Sequence, residues 1–164
     1  MKRARRVGIQ YAALPYQLRG GQPWILLISS RRTGRWVIPK GWPIGRLTPN
    51  QAAAAEALDE AGVLGPIADQ PIGSYRYIKD DRDLVVQVLV FPLRVDGFAP
   101  AFKEKGQRIA RWRPYRRAAG MVAESSLRRL ILDFGDERST NLIIQALRRY
   151  RTWRLRAASA DGRF

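Results

Sequence analysis

Three acidic residues, Glu56, Asp59 and Glu60, follow one another at spacings of three and one in an alanine-rich stretch. On a helix that turns about 100° per residue they fall within an arc of about 100°, so their carboxylates converge on one side. No basic residue of the same stretch stands ready to pair with them. Like charges this close repel by about a few tenths of a kcal/mol per exposed pair, and by more when buried. A divalent cation would cancel that repulsion. Plain solvation relieves it too, so the spacing alone leaves both a metal centre and a solvated acidic face open.

Composition narrows the chemistry. The chain has no histidine and no cysteine. That removes thiolate nucleophiles, disulfides, cysteine-based zinc sites and the usual general base. What remains is carboxylates, hydroxyls, Lys, Arg, Tyr or a bound metal. With oxygen donors alone the fitting cations are hard ones, Mg²⁺ or Mn²⁺ before Ca²⁺. Thirty Lys and Arg against 14 Asp and Glu leave a formal charge of +16, enough to steer polyanions such as phosphates toward the surface. The same excess also suits an arginine-rich solvated surface.

Local sequence patterns set the strands and helices that carry these groups. Val7 to Leu18 is a strand, Arg19 to Pro23 a turn and Trp24 to Ile28 a buried strand, together a hairpin. A short strand, Trp36-Val37-Ile38, stops at Pro39, and Lys40 to Leu47 is a loop. Thr48 caps the acidic helix, with Pro49 at its first position, Gln51 completing a capping box and Gly62 ending it in a left-handed turn. Gly73 to Lys79 and Leu84 to Val95 are strands joined by the turn Asp80-Asp81-Arg82-Asp83, and Leu84 to Phe91 is apolar enough to be central. Arg108 to Arg113 alternates Arg with Ile and Trp, as a strand with one wet face does. Three helices finish the chain. One opens at Pro114, one runs from Ser125 to Asp133, and one from Asn141 to about Arg156 carries Leu142, Ile143, Ala146, Leu147 and Tyr150 on one face. That stripe is expected to pack on the sheet with the arginines in solvent.

The length of 164 residues suits one domain, residues 1–164, with a basic arm 1–6 and a tail 157–164 at its periphery. No apolar run approaches the roughly 20 residues that span a bilayer. The basic start is broken at Gln10, Pro15 and Gln17 before a secretory segment forms, so a cytoplasmic location is expected.

The acidic helix and the loop before it, Gly41 to Val63, resemble the Nudix box, G-x5-E-x7-R-E-U-x-E-E-x-G-U with U aliphatic. Gly41 falls on the opening glycine, Glu56 on the glutamate after the arginine, Asp59 and Glu60 on the acidic pair, Gly62 on the late glycine and Val63 on the aliphatic end. Trp36 to Pro43 and Gly73 to Tyr77 are similar to the branch of diphosphoinositol polyphosphate and dinucleoside polyphosphate hydrolases. The resemblance covers roughly Val7 to Trp112. Two members of the box differ: its first glutamate is Leu47 and its arginine is Ala55. In the family both support the box and orient its acids. Losing both together strands no buried charge, although poorly oriented ligands cost about ten- to hundredfold in metal affinity or activity.

The resemblance implies an α/β/α sandwich around a mixed β-sheet and a metal-dependent hydrolase that cuts a phosphoanhydride bond. Its substrate would be a nucleoside or dinucleoside polyphosphate or a diphosphoinositol polyphosphate. Glu56, Glu60 and, from the loop after the central strands, Glu104 would be the catalytic carboxylates. Glu56, Asp59, Glu60 and the Gly41 carbonyl would hold Mg²⁺ or Mn²⁺. Lys40, Ser29, Ser30, Arg31 and Arg108 would meet substrate phosphates, and Trp42 would stack on a base or fill an apolar gap. The alternatives are a catalytically weak Nudix-fold module binding a phosphorylated ligand or RNA, and a nucleic-acid-binding role for the arginine-rich final helix.

Overall fold

The computed structural model describes residues 6–79 and 84–160, without the side chains of 142 and 153–160. The turn expected at Asp80 to Asp83, residues 1–5 of the expected arm and residues 161–164 of the expected tail lie outside the described residues. Strand β1 (Arg6–Arg19) turns through Gly20 and Gly21, at φ 55° and 78°, into β2 (Gln22–Ser29). Two left-handed residues in succession suit a tight hairpin, and glycine adopts them without strain. Short β3 (Trp36–Val37) and β4 (Lys40–Gly41) follow, then helix α1 (Pro49–Ala61), β5 (Val63–Leu64), β6 (Gly73–Lys79) and β7 (Leu84–Arg94). Strands β8 (Gly97–Phe98) and β9 (Ala110–Pro114) lead to helices α2 (Tyr115–Met121) and α3 (Ser125–Ala160).

The main sheet runs β3-β2-β1-β7-β6, with β4 paired to β1 and β9 to β2. It is mixed. Strand β1 runs parallel to β7, with Ala12 opposite Val90, and antiparallel to β2, with Tyr16 opposite Ile25. Alternate residues of β2 point to opposite faces, yet all of Ile25, Leu26, Leu27 and Ile28 are buried, because both faces are covered. On one face Leu26, Ile28, Phe91 and Leu93 meet Ala53, Ala57 and Ala61 of α1. On the other, Ile25, Leu27, Val86 and Val88 meet Ala118 of α2 and Leu127, Ile131 and Phe134 of α3. These layers are the expected α/β/α sandwich. No helix among the described residues is long and apolar enough to cross a membrane.

Helix α1 keeps its expected bounds. Gln51 Oε1 accepts the Thr48 N–H at 3.0 Å, and Gly62, at φ 68°, closes the helix by donating to the Leu58 carbonyl. The alanines that let α1 lie close on the sheet leave Glu56, Asp59 and Glu60 on its flank.

Several expectations need correction. Lys40-Gly41 is not loop: it pairs with Tyr11 and Ala12 of β1, which fixes the backbone of Gly41 on the sheet. The strand expected at Arg108 to Arg113 begins at Ala110, and its wet and dry sides are reversed at the start. Ile109 is 55% exposed while the Arg108 side chain turns inward at 9%. The two expected C-terminal helices are one, α3, which runs unbroken through residues 134–140, and Gly135 lies in that stretch as a single glycine the helix tolerates. The Tyr115 ring occupies the space a Cβ there would need, and Asp136 accepts hydrogen bonds from the Tyr115 hydroxyl and Arg116, both at 2.6 Å.

The apolar stripe of the final helix also departs from expectation. Ile143, Leu147 and Tyr150 are 61%, 62% and 57% exposed and do not pack on the sheet. The first turns of α3 already cover that face, and a helix rising about 1.5 Å per residue carries the later turns past it. Arg6, assigned to the peripheral arm, begins β1, and residues 157–160, assigned to the tail, continue α3.

Gly135→Ala tests the Tyr115 contact. Alanine favours a helix over glycine by about 1 kcal/mol, yet the added methyl must displace a buried ring. We expect a net loss of about 1–3 kcal/mol in denaturant unfolding; an unchanged or raised stability would show that the ring does not occupy that space.

Candidate active site

The site is assembled where the exposed flank of α1 meets the sheet edge at β4 and the loop before β9. Gly41, held by β1, has no side chain, and the Glu56 carboxylate fills the space its Cβ would take. One turn on, Glu60 Oε2 accepts the backbone N–H of Lys40 at 3.1 Å. The loop before β9 is tied to the same helix, since the Glu104 N–H donates to the Asp59 carbonyl at 2.9 Å. Glu104 is buried.

Arg108 is the cation among these acids. Its Nε donates to Glu104 Oε2 at 2.6 Å, its Nη2 donates to Glu60 Oε1, and its Nη1 donates to the Ser29 carbonyl at 3.1 Å. Arg31 Nη1 lies 3.3 Å from the other oxygen of Glu104, and Lys103 Nζ lies 3.6 Å from Asp59 Oδ2. Glu56 makes no hydrogen bond or ion pair among the described residues.

Burial raises the proton affinity of both helical glutamates. Glu56 is held above its ordinary value by burial first and by the charge of Asp59 second, with Lys103 opposing. Glu60 is pushed up to about 7 by burial, against the pull of Arg108 and the Lys40 N–H. Lys40 moves down, again through burial, with Glu60 and Glu124 opposing. Each shift is the cost of holding charge away from water.

The structure thus brings together Glu56, Glu60, Glu104, Gly41, Arg31 and Arg108. Asp59 stands at the margin, paired with Lys103. Ser29 contributes its carbonyl to Arg108, while its hydroxyl accepts the Ile109 N–H at 2.9 Å. Ser30 is turned into its own loop, 2.5 Å from the Thr33 hydroxyl. The Lys40 ammonium lies 5.5 Å from the centre of the Tyr77 ring. Trp42 packs on Gly8, and Tyr75 is core.

Sequence reasoning missed the Lys103 to Asp59 pair and the inward turn of Arg108. Only the Glu104 to Arg108 spacing of four hinted at the latter. Among the described residues no group of three acids already stands in a metal-ligating arrangement. An open hollow of about 680 Å³ lies instead at the start of α1, lined by Asn50, Gln51, Asp69, Leu89 and Phe91, with none of the site acids in its wall.

No family model matches the chain. Its sequence is 28% identical over 126 residues to Nudix hydrolase 21, chloroplastic, of Arabidopsis thaliana, a stretch covering 74% of this chain and 63% of that protein. It is 32% identical over 89 residues to Nudix hydrolase 17, mitochondrial, of the same plant, covering 54% and 48%. The crystal structure of C. elegans Ap4A hydrolase superposes with a TM-score of 0.60 at 19% identity, over 78% of this chain and 96% of that one. The chain shares the fold of that hydrolase and is similar in sequence to two Nudix hydrolases. It spans less than two thirds of the length of the two curated relatives. Within the stretch that resembles the Nudix box, Leu47 is exposed and Ala55 half-buried, and neither carries a polar side-chain atom to the acids.

The raised Glu60 fixes the sign of a pH dependence. Below about 7 its proton competes with any cation it binds. We expect Mn²⁺ affinity to fall by up to about tenfold per pH unit below that value and to level off above it. Affinity that is flat between acid and neutral pH would mean that Glu60 does not ligate.

Proposed function

We propose that the chain is a metal-dependent hydrolase of a phosphoanhydride bond in a nucleoside polyphosphate, dinucleoside polyphosphate or diphosphoinositol polyphosphate. The observation that carries this reading is the convergence of Glu56 and Glu60 from α1 with Glu104 from the loop before β9, beside the backbone of Gly41. The chain's likeness to two Nudix hydrolases supports the reaction class, and the fold shared with an Ap4A hydrolase supports a dinucleoside polyphosphate among its substrates.

The donor set suits Mg²⁺ or Mn²⁺. All donors are oxygen, and Gly41 leaves the carboxylate of Glu56 against its bare backbone, in space a side chain would close. Glu56, Glu60 and Glu104 would hold the cation, with the Gly41 carbonyl beside them and Asp59, a methylene shorter than Glu and paired with Lys103, in a lesser part. When bound, a divalent cation supplies charge neutralisation on the phosphate oxygens.

The protein's own groups do the rest. Arg31, exposed beside Glu104, meets substrate phosphate, and Lys40 adds positive charge behind Glu60. Ser29 shapes the floor through its carbonyl, while Ser30 and Arg108 reach phosphate only after giving up their present bonds. Water adds to phosphorus, the bond to the leaving phosphate oxygen breaks, and the proton passes to a carboxylate oxygen of Glu56, which burial keeps basic and which has no competing hydrogen bond among the described residues.

A second reading, a weakly catalytic module that binds a phosphorylated ligand or RNA, draws support from Leu47 and Ala55 and from the prior engagement of Glu60 by Arg108. Phosphate release from diadenosine polyphosphates, nucleotide sugars and inositol pyrophosphates, with Mg²⁺, with Mn²⁺ and after chelation, separates the two. We expect release that depends on the metal and falls by about a hundredfold or more in Glu60→Gln. Near-normal turnover in that variant would remove the proposed site, and ligand binding without turnover would favour the module.

A further inference from the structure

Arg108 is half-buried, its side chain only 9% exposed, and its guanidinium donates in three directions. Its Nε and Nη2 hydrogens lie along one edge of a planar group, the edge that ordinarily grips both oxygens of a single carboxylate. Here that edge takes one oxygen from each of two glutamates carried by different elements, Glu60 on α1 and Glu104 on the loop before β9. Two adjacent donors can be satisfied in this way only if the two accepting oxygens are neighbours. The guanidinium itself is anchored from the sheet, through the Ser29 carbonyl at the end of β2, and the Ile109 N–H binds the Ser29 hydroxyl next to it. No basic side chain stands on α1 to do the same, and Leu47 before it and Ala55 on it take the places where the Nudix box has its glutamate and arginine.

We infer that Arg108 is a positioning residue that draws Glu60 and Glu104 together beside Glu56, supplying from the sheet the orientation that Leu47 and Ala55 cannot supply from the helix. The inference rests on the hydrolase reading in treating these glutamates as metal ligands. Two requirements follow from the geometry. The planar fork matters as well as the charge, so lysine is a poor replacement. An arginine restored on the helix, with its glutamate partner, should take over part of the task.

The test measures the Mn²⁺ dissociation constant by electron paramagnetic resonance, alongside hydrolysis of a diadenosine polyphosphate. The proteins are the full chain, Arg108→Lys, Arg108→Gln, and Arg108→Gln combined with Leu47→Glu and Ala55→Arg, each checked for folding by thermal melting. We expect both single variants to bind Mn²⁺ roughly ten- to hundredfold more weakly, with kcat lowered more than KM, and the combined variant to recover part of the loss. A purely structural role would lower the melting temperature without recovery from an arginine on another element. Unchanged or tighter Mn²⁺ binding in folded single variants overturns the inference, the tighter case marking Arg108 as a competitor of the cation. If the full chain shows this Mn²⁺ pattern without hydrolysis, the positioning role stands and the hydrolase reading fails. If it hydrolyses and the Arg108 variants bind Mn²⁺ normally, the hydrolase reading stands and the positioning role fails. No Mn²⁺ binding by the full chain overturns both.

Discussion

Carboxylates of like charge can share a half-buried space only if positive charge shares it with them, and the architecture around α1 is arranged to meet that condition. Ala53, Ala57 and Ala61 bring the helix down onto the sheet, which carries Glu56 and Glu60 away from bulk water and raises their proton affinity. The loop before β9 adds Glu104 to the same place. Left alone, these groups would take up protons or move apart. Arg108 answers the charge from the sheet side and Lys103 from the loop, while the bare backbone of Gly41 gives Glu56 room to lie against β4. The removal of a single member would therefore be felt by the others, as expected of a charge network in a poorly solvated setting.

The same arrangement explains how the two altered box positions are tolerated. Leu47 lies exposed on the approach to α1, and Ala55 adds only a methyl to the helix surface, so neither creates an unpaired buried group. The helix keeps its caps at Thr48 and Gly62, and its buried face stays alanine, independently of these positions. In the positioning role proposed for Arg108, contacts between α1 and the approach to β9 orient the acids.

Much of this was legible in the sequence wherever the signal was local. Thr48, Pro49 and Gln51 mark the start of α1 and Gly62 its end, because caps act within a few residues. Gly20-Gly21 marks the first hairpin, and the apolar run of β7 marks a strand paired on both sides. The three acids follow from helical spacing. What escaped depends on contacts distant in sequence. The two-residue strand at Lys40 exists only because Tyr11 and Ala12 pair with it, and the Tyr115 ring packs against Gly135 where no side chain stands in its way. The inward turn of Arg108 contradicts the usual exposure of arginine and becomes intelligible once Glu60 and Glu104 stand beside it.

The proposed hydrolysis requires a hard cation held between α1, β4 and the loop before β9. The most direct measurement is a crystal structure of the full chain grown with Mn²⁺, with the metal located by its anomalous scattering. A manganese peak within ligating distance of Glu56 and Glu60, next to the Gly41 carbonyl, is the predicted result. Ordered density for these side chains with no peak among them, or with manganese bound only elsewhere, would contradict it.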